Sequence, residues 1–552
     1  MKTTLHLIIL FFTTTLFAQP TCQWAYIPVG ASQSYNHIYN SIVDHSGNTI
    51  ELGMILGSAD MDPGSNPADT AFTDFSYNYY FSKTSPSGNL IWIHYFENNS
   101  QFASLEYAGL KINSANEIIV AGNYMGMIDF DLSDSGVDTL RSHFATYPDY
   151  FVAKYDSAGD YKWAFSIGDP TTNDIQAQAI TVLSNDNIVV AANPNGGTID
   201  VDPGSGVHNS IGGNGNLICY DTNGNYVWNN NISTTYSYCV LNNSLDADGA
   251  GNTCLGTVGY YELTLNKFDI SGARINSITL GDFSNQARVD PQSILTDKST
   301  GDIYVAGTFG GTVDFNPSGA AVNKSSSSGF YQDGFIAKYD QNLNLLWVNA
   351  YEGEVVFGDY CLDFDSVDII AGGSIAGTID FGNGNVFTSP TTFSPFYIKL
   401  NSTGITQSGF SLDGFGQYNS LHTGINNSFV ATGNIVSSMD LDPTAASLVL
   451  VPASSTAFTA FYQSPTQTFV SENNNQDNIV AYPNPTNDKL VLKIKSNSIG
   501  KNYIIFDVTG REIMTNKLID ETTTIDLSFL SAGIYTLILG TNKEESIKII
   551  RQ

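Results

Sequence analysis

The chain has few of the residues that usually carry catalytic or metal-binding chemistry. Among its 552 residues there are only five cysteines and seven histidines. The cysteines form no C-x-x-C pair, and no two histidines beyond residue 18 have metal-ligand spacing, so neither a zinc site nor a redox pair is indicated. The sequence also lacks a G-x-S-x-G elbow, a P-loop and an H-E-x-x-H motif. It therefore predicts no catalytic residue.

Positive charge is scarce as well. The chain carries 22 Lys and Arg against 53 Asp and Glu, which gives a net charge of −31. From residue 479 onward the two signs nearly balance, 9 against 8, so the negative excess lies in the part before it. A surface of this sign repels phosphate backbones, which argues against nucleic acid as a partner and favours divalent cations or cationic partners.

Long apolar runs are missing beyond the N-terminus. No later segment approaches the roughly 20 residues that a transmembrane helix needs. The N-terminal run, Leu5–Phe17, is shorter than that and lies between Lys2 and Ala18. This order of positive charge, apolar segment and small residue is typical of a signal peptide. We therefore expect residues 1–18 to be a signal peptide that is removed during export.

What the chain does contain is a repeated hairpin. Residues Phe151–Ala164 comprise an apolar strand, an Asp-Ser-Ala-Gly turn and a second strand that carries Trp163. In three copies the aspartate and the tryptophan are seven residues apart, at 156 and 163, 221 and 228, and 340 and 347. The period of roughly 50–70 residues suits a unit of about four strands.

A second kind of hairpin, exemplified by residues 110–122, recurs seven times and precedes these copies. Seven four-stranded units arranged radially form a β-propeller, in which each sheet covers the faces of its neighbours. The last unit lacks its fourth strand, and Gln23–Tyr26 resembles Lys162–Phe165. The predicted fold is therefore all-β, with a seven-bladed β-propeller over residues 19–462 that the strand at Trp24 closes.

The repeats resemble the SBBP family of seven-bladed β-propeller repeats. The resemblance rests on the hairpin Asp44–Asn48, the Val-Ala-Gly strands at Val120–Gly122 and Val305–Gly307, the Asp314-Phe315 step and the run Asp333–Asp340. It covers about four-fifths of the chain. The resemblance implies a fold and leaves the activity open, because a propeller is a scaffold for many functions.

Acidic motifs follow the second strand in six of the seven repeats. Pairs of carboxylates two residues apart on a strand point the same way, and calcium prefers such oxygen ligands. The alternative is that each aspartate caps its strand through an Asx turn. The candidate calcium ligands are Asp60, Asp62, Asp129, Asp131, Asp200, Asp202, Asp314, Asp440 and Asp442. We expect an extracellular ligand to contact the long loops that these motifs begin.

A polar linker, residues 463–478, separates the repeats from a small β unit at 479–552, for which the alternating strands predict an immunoglobulin-like β-sandwich. This unit resembles the type A sorting domain of the type IX secretion system. The residues that carry the resemblance are Pro483, Asn484, Pro485, Gly510, Gly533, Tyr535 and Lys548. The resemblance implies periplasmic transit, contact with the secretion machinery and its sortase-like peptidase, and a secreted or outer-membrane surface-attached product.

The sequence favours a non-enzymatic binding module for a glycan, protein or ion, with calcium as the one cofactor that it suggests. An extracellular carbohydrate-active enzyme on the same scaffold is the alternative. The Asp-x-x-Gly-x-x-x-Trp pattern also resembles the repeats of quinoprotein dehydrogenases, but the chain has no vicinal cysteine pair. A disulfide between Cys239 and Cys254 stays open at this point.

Overall fold

The computed structural model describes residues 19–551, except 31–34, 57–58, 62–69, 72–76, 97–103, 134–135, 144–146, 169–174, 195–196, 212–214, 233–239, 260, 283, 285, 328–332, 390–392, 453, 465–478, 483–485, 487, 495–498, 508–510, 532 and 540–544. The regular elements in these residues are all β-strands, which confirms the all-β prediction. They belong to two compact bodies, Met1–Pro465 and Thr466–Gln552. In the described ranges there is no helix that could span a membrane. The predicted signal peptide, 1–18, and most of the predicted linker lie outside the described residues.

The first body begins with two short strands and continues with four-stranded antiparallel units. The two strands are β1 (Thr21–Tyr26) and β2 (Val29–Gly30). Unit 1 contains β3 (Tyr35–Val43), β4 (Thr49–Leu56), β5 (Ala59–Asp60), β6 (Thr70–Ala71), β7 (Tyr77–Thr84) and β8 (Leu90–Phe96). Unit 2 contains β9 (Ser104–Ile112), β10 (Ile118–Met125), β11 (Met127–Asp129), β12 (Thr139–Arg141), β13 (Asp149–Tyr155) and β14 (Tyr161–Ile167). Unit 3 contains β15 (Ile175–Val182), β16 (Ile188–Pro194), β17 (Thr198–Asp200), β18 (Asn209–Ile211), β19 (Gly215–Tyr220) and β20 (Tyr226–Ile232).

Four further units follow along the chain. Unit 4 contains β21 (Val240–Ala247), β22 (Thr253–Val258), β23 (Leu263–Phe268) and β24 (Arg274–Leu280). Unit 5 contains β25 (Arg288–Thr296), β26 (Ile303–Gly310), β27 (Thr312–Asp314), β28 (Asn323–Ser325), β29 (Asp333–Tyr339) and the first half of β30 (Leu345–Asp365). Unit 6 contains the second half of β30, β31 (Asp368–Ala376), β32 (Thr378–Asp380), β33 (Val386–Thr388), β34 (Ser394–Leu400) and β35 (Thr406–Ser411). Unit 7 contains β36 (Gly416–Thr423), β37 (Ser428–Ile435), β38 (Met439–Asp440), β39 (Val449–Leu450) and β40 (Thr456–Gln463).

Each unit has the same internal order. Its four long strands pair antiparallel in chain order, and in unit 7 the fourth place is taken by β1, which pairs with β40 and sets Trp24 opposite Phe461. In six units a short ribbon lies between the second and third strands; it has two strands in five of them, for instance β17 with β18, and three in unit 1, where β2 pairs with β5. Unit 4 has no ribbon in the part of the chain that the structure describes.

Burial explains which segments form which strand. The third strand of unit 2, Asp149–Tyr155, is buried at all seven positions, because it lies in the middle of its sheet with neighbouring units on both faces. A short apolar run of this kind is typical of a strand covered on both sides. The fourth strand, Tyr161–Ile167, is an edge strand and only partly buried. The apolar strand of the repeated hairpin therefore belongs to the core, and the strand that carries the tryptophan forms the edge of the sheet.

The units pack on one another in chain order, and the last also packs on the first. The first strand of each unit contacts the first strand of the next, and β36 of unit 7 contacts β3 of unit 1. The buried apolar clusters lie between consecutive units; one joins Leu52 of unit 1 to Val120 of unit 2. Another joins Ala457 of unit 7 to Ile38 and Tyr80 of unit 1. No unit therefore has an apolar core of its own.

The second body consists of two sheets. One has the order β41 (Ile479–Tyr482), β42 (Lys489–Ile494), β45 (Thr522–Asp526), and the other has the order β44 (Glu512–Lys517), β43 (Asn502–Asp507), β46 (Gly533–Leu539), β47 (Glu545–Arg551). Residues of both sheets share one apolar cluster, with Leu490 and Ile525 from the first sheet and Ile505 and Leu537 from the second. The body is thus a small two-sheet sandwich with its own core.

Candidate functional site

A cavity of about 420 Å³ lies where the first strands of the units run into the turns that lead to the second strands. Its volume is within the range of small-molecule sites. Every unit contributes to its lining, since the wall includes Ile42, Lys111, Thr181, Asp246, Leu295, Asp363 and His422, one from each unit in order. We call it the seven-strand cavity.

Two long bulges form the inner end of this cavity. In unit 6 the pairs Phe357–Gly373 and Leu362–Ala371 leave residues 358–361 opposite the single residue Gly372. In unit 4 residues 241–244 are likewise opposite Gly256. The other five first strands carry one extra residue at this point, such as Ala108 between Tyr107 and Gly109. Extra residues in a strand bend it away from its partner and re-aim its side chains.

The bulged residues reach units that are not their neighbours. The Tyr360 hydroxyl of unit 6 donates to the Ala108 carbonyl of unit 2 over 3.2 Å. The Asn243 amide of unit 4 donates to Ser293 Oγ over 3.1 Å and also to the Asp359 carbonyl of unit 6. Tyr360 and Asn243 both line the cavity. Together they close the space between the first strands and give the cavity a floor.

The two carboxylates in the cavity wall are fully engaged by the protein. Asp246 accepts hydrogen bonds from the Thr296 amide over 2.8 Å, Lys298 Nζ over 3.0 Å and Thr181 Oγ1 over 3.3 Å. Burial opposes ionisation of Asp246, but the cations Lys298 and Lys111 and the Thr296 amide outweigh it and hold its pKa below the usual value. Asp246 is therefore ionised at neutral pH.

Asp363, which unit 6 contributes to the wall, is held in the same manner. Its Oδ2 accepts hydrogen bonds from the Thr423 amide over 2.8 Å and the Thr423 hydroxyl over 3.1 Å. Its Oδ1 accepts the Phe364 amide over 2.8 Å. Neither carboxylate therefore has much capacity left for a ligand's donors.

Two nitrogen-bearing side chains of the wall are not engaged. Lys111 makes no hydrogen bond or ion pair with any residue that the structure describes. His422 Nε2 is buried and has no hydrogen-bond partner among those residues, while its Nδ1 lies 3.7 Å from Asp363 Oδ2. Lys111 is partly buried, whereas His422 Nε2 is fully buried, and a fully buried polar atom without a partner is rare in native proteins and calls for an explanation.

The predicted calcium ligands lie elsewhere, in the ribbons. Oδ1 of Asp200 accepts the amides of Asp202 and His208 over 3.1 and 2.9 Å, which joins the two ends of the ribbon turn. The same two-amide pattern holds at three other ribbons, through Asp129, Asp314 and Asp440. The geometry matches the Asx-turn alternative.

The remaining acidic candidates are placed as follows. Asp131, Asp202 and Asp442 each accept an amide from the residue two positions on. Asp60 ends β5, and Asp62 lies outside the described residues. In the described ranges no three His, Cys, Asp or Glu side chains form a metal-binding group. Calcium at the ribbons stays a prediction.

The sequence also left the cysteines open. Cys254 is a buried free thiol, so it forms no disulfide with Cys239, which itself lies outside the described residues. Cys22, Cys219 and Cys361 are buried and free as well, and desolvation raises the pKa of Cys254 and of Cys219 to about 12. These thiols are therefore protonated core residues.

The sorting residues fall on the second body. Gly533 begins β46 opposite Arg551, and Tyr535 is buried and donates its hydroxyl to the Ser531 carbonyl over 2.9 Å. Lys548 is exposed on β47. Pro483, Asn484, Pro485 and Gly510 lie outside the described residues.

This chain is similar to known proteins at two levels, in its overall structure and in the sequence of its C-terminal part. Among solved structures, a protein of unknown function from Dyadobacter fermentans DSM 18053 is 9% identical over 80% of this chain and 98% of that chain, with a TM-score of 0.36. A protein of unknown function from Bacteroides caccae is 10% identical over 60% of this chain and 89% of that chain, with a TM-score of 0.31. PorZ of Porphyromonas gingivalis, described as an essential bacterial surface component of the type IX secretion system, is 10% identical over 94% of this chain and 82% of that chain, with a TM-score of 0.21. No curated protein matches the chain significantly. Residues 480–552 match the family model described as a secretion system C-terminal sorting domain. The chain therefore ends in a sorting domain of the type IX secretion system, and its location is the cell surface or the medium.

Proposed function

We propose that the first body is a seven-bladed β-propeller that acts as a non-enzymatic binding module outside the cell. Seven four-stranded units, contacts between all consecutive first strands, and a shared apolar cluster between units 7 and 1 support this architecture. The similarity of the repeats to the SBBP family and the immunoglobulin-like character of the second body stay predictions of the sequence.

The observation that carries the binding function is the seven-strand cavity. Its wall combines aliphatic side chains with polar groups from several units, and two nitrogen groups in it have no direct hydrogen-bond partner among the described residues. Concave sites with a few convergent polar groups are the usual form of small-ligand sites. A site built from seven strands of a closed ring is also rigid, so little ordering is needed on binding.

A carbohydrate-active enzyme is the second candidate, because Asp246 and Asp363 lie in one cavity. A glycosidase needs one carboxyl group that stays protonated to act as general acid. The lowered pKa of Asp246 makes it unsuited to that role. A screen of polysaccharides and sugars that scores retention and cleavage separately will distinguish a binding module from an enzyme.

A bulky substitution in the wall of the seven-strand cavity tests whether ligands bind there. Val182 lines the cavity and is partly buried, so Val182→Trp should block it. Val227 is 44% exposed on the outer strand β20, and Val227→Trp is the matched control. We expect ligands from the screen to lose binding to Val182→Trp only. Ligands that bind both variants equally would place the site elsewhere, and the ribbon-side loops would be the next candidate.

Export is tested on the same chain in a type IX-competent host. We expect mass spectrometry of the surface or medium fraction to find a form that begins near residue 19 and ends within or near 463–478, after removal of the sorting domain by the sortase-like peptidase. Deleting residues 546–552 removes most of β47, the edge strand of the second body, and should leave the protein in the periplasm. An intact second body on the extracellular protein would contradict this processing.

A further inference from the structure

The charged groups of the seven-strand cavity do not pair off completely. Its wall holds two lysines, Lys111 and Lys298, and two aspartates, Asp246 and Asp363. Lys298 pairs with Asp246 over 3.0 Å, and Asp363 accepts hydrogen bonds from the uncharged donors of Thr423 and Phe364. Lys111 feels both aspartates electrostatically, but among the described residues it has no direct ion pair or hydrogen bond, so its ammonium is the one of these four groups without a direct partner.

The position of Lys111 in the fold makes its charge costly to keep without a direct partner. It lies on β9, one of the strands that surround the cavity, next to the end of the strand. Desolvation by the walls lowers the pKa of Lys111, the nearby Lys298 lowers it further, and Asp246 and Asp363 only partly offset this. An ammonium in such a place is stabilised when an anion sits against it.

A second group of the wall also lacks a hydrogen-bond partner, and it donates to a ligand when the imidazole carries a proton on Nε2. His422 comes from unit 7 and Lys111 from unit 2, and both line the same cavity. His422 Nε2 is buried there and has no partner among the described residues. The two carboxylates of the wall already accept three hydrogen bonds each, so the cavity offers donors to a ligand and few acceptors.

We infer that the seven-strand cavity binds a small organic carboxylate, whose oxygens accept hydrogen bonds from Lys111 and His422. The inference rests on the proposed binding function and specifies its ligand class. Charge-assisted hydrogen bonds of this kind are among the strongest that proteins make. The aliphatic side chains of Ile112, Val182 and Leu295 in the wall suit the carbon skeleton of such a ligand.

The experiment uses the full exported chain and titrates it with acetate, lactate and glucuronate, with glucose as the neutral counterpart of glucuronate and inorganic phosphate as a different anion. Binding is measured by calorimetry and by the shift in melting temperature. We expect at least one carboxylate to bind and raise the melting temperature, and glucose to do neither. Lys111→Met should weaken that binding about 10- to 100-fold, the loss expected for a hydrogen bond to a charged group.

Lys111→Met is a safe variant because it removes a desolvated charge and keeps an unbranched side chain of similar length. Asp246 loses one of its two nearby cations in this variant but keeps Lys298, and the melting temperature without ligand shows that the variant is folded. The control is Lys324→Met, on the ribbon strand β28, which should bind like the parent. Binding of a neutral sugar that Val182→Trp blocks and Lys111→Met does not would overturn the carboxylate inference and leave the binding function standing.

The other outcomes are equally decisive. Lys111-dependent binding of phosphate with no binding of any carboxylate would overturn the assignment of ligand class. Binding of no tested anion would overturn it too, and the polysaccharide screen with Val182→Trp would then decide on the binding function separately.

Discussion

The two ends of the units use carboxylates for different tasks. We call one end the turn end, because it carries the turns that join the first strand of each unit to the second and the third strand to the fourth. At this end carboxylates take part in links between units. Lys83 of unit 1 pairs with Asp44 of its own first turn over 2.8 Å and donates to the Ser157 carbonyl in a turn of unit 2, also over 2.8 Å. Lys154 of unit 2 bonds in the same way to Glu117 and to the Thr222 carbonyl of unit 3.

The tryptophans reinforce the links at this end. Gly88 in the third–fourth turn of unit 1 has φ +84°, and a Cβ there would lie 3.1 Å from the ring of Trp24 of unit 7. Only glycine adopts this conformation readily and leaves room for the ring. Trp24 Nε1 also donates to the Pro86 carbonyl in that turn over 2.9 Å. Equivalent ring-over-glycine contacts join Trp92 to Gly159, Trp163 to Gly224, Trp228 to Gly272 and Trp347 to Gly404.

At the ribbon end the carboxylates act within one unit. The amides that Asp200 accepts belong to residues two and eight positions further on, in its own ribbon turn. Turn-end contacts therefore hold the units together, whereas ribbon carboxylates hold single loops in shape. Loss of a turn-end contact should therefore destabilise the whole body, and loss of a ribbon contact should act locally.

The largest effect is expected when the contact between units 7 and 1 is broken. Deleting residues 19–26 removes β1, exposes the edge of β40 and removes Trp24 from the turn of unit 1. It also removes the Tyr26 hydroxyl, which donates over 3.0 Å to the buried Glu51. We expect loss of cooperative thermal unfolding, followed by circular dichroism. The control Gln23→Ala changes an exposed side chain on the same strand, and unchanged melting of the deletion would contradict a closed ring.

The next largest effect is expected for Lys83→Met. Burial opposes ionisation of Asp44, but hydrogen bonds from Asn48 and Lys83 outweigh it and hold its pKa below the usual value. Removing the lysine leaves a buried carboxylate with its amide partners only, at a cost of about 3–5 kcal/mol in the free energy of unfolding. Urea unfolding measures this, and Asp44→Asn in the same chain should recover part of the loss. A loss no larger than that of Lys324→Met would contradict the coupling role.

Much of this turn end could be predicted from the sequence, because its residues recur. The Asp–Trp spacing of seven gave the third–fourth turn, and the likeness of Gln23–Tyr26 to Lys162–Phe165 pointed to the strand that pairs with β40. The lysine in the middle of the third strand recurs too, as in Lys83 and Lys154. Its role was missed, although a lysine within a buried apolar strand signals a buried partner.

The cavity could not be predicted, because the residues that form it do not recur. The floor depends on extra residues within two first strands, and such an insertion carries no turn residue to mark it. Lys111 and His422 are single occurrences from units that are far apart in the chain. The sequence placed the ligand at the loops of the ribbon end, whereas the cavity lies at the turn end.

A smaller effect is expected at the ribbon end. Asp200→Asn keeps an oxygen that can accept the two amides, so it should change the free energy of unfolding by less than about 0.5 kcal/mol, while Asp200→Ala should cost about 1 kcal/mol. Thermal melting without EDTA measures the loss of stability in each variant, and its comparison with melting in the presence of EDTA tests whether calcium is bound. If calcium binds, EDTA will lower the melting temperature, and Asp200→Asn combined with Asp202→Asn will weaken that response. A whole-body loss as large as that of Lys83→Met would contradict the division between the two ends.

The smallest effect is expected between the two ends, at Asp359 in the bulge of unit 6. Partial desolvation by the surrounding strands raises the pKa of Asp359 to about 6, although its side chain contacts water. Asp359 therefore keeps a bound proton in the folded chain between about pH 4 and pH 6, where it has lost that proton in the unfolded chain, so the contribution of Asp359 to stability should fall as the pH rises through this window and stay level above it. Asp359→Asn should remove that dependence and raise the melting temperature slightly at pH 7, whereas Asp160→Asn, in an exposed turn, should not.

Melting temperatures at pH 4.5 and 7 for the three chains measure the difference. If the parent chain and Asp359→Asn show the same pH dependence, the prediction is wrong. Water in the bulge would then solvate the Asp359 carboxylate fully, and Tyr360 and Asn243 would close the floor of the cavity less completely than the structure indicates.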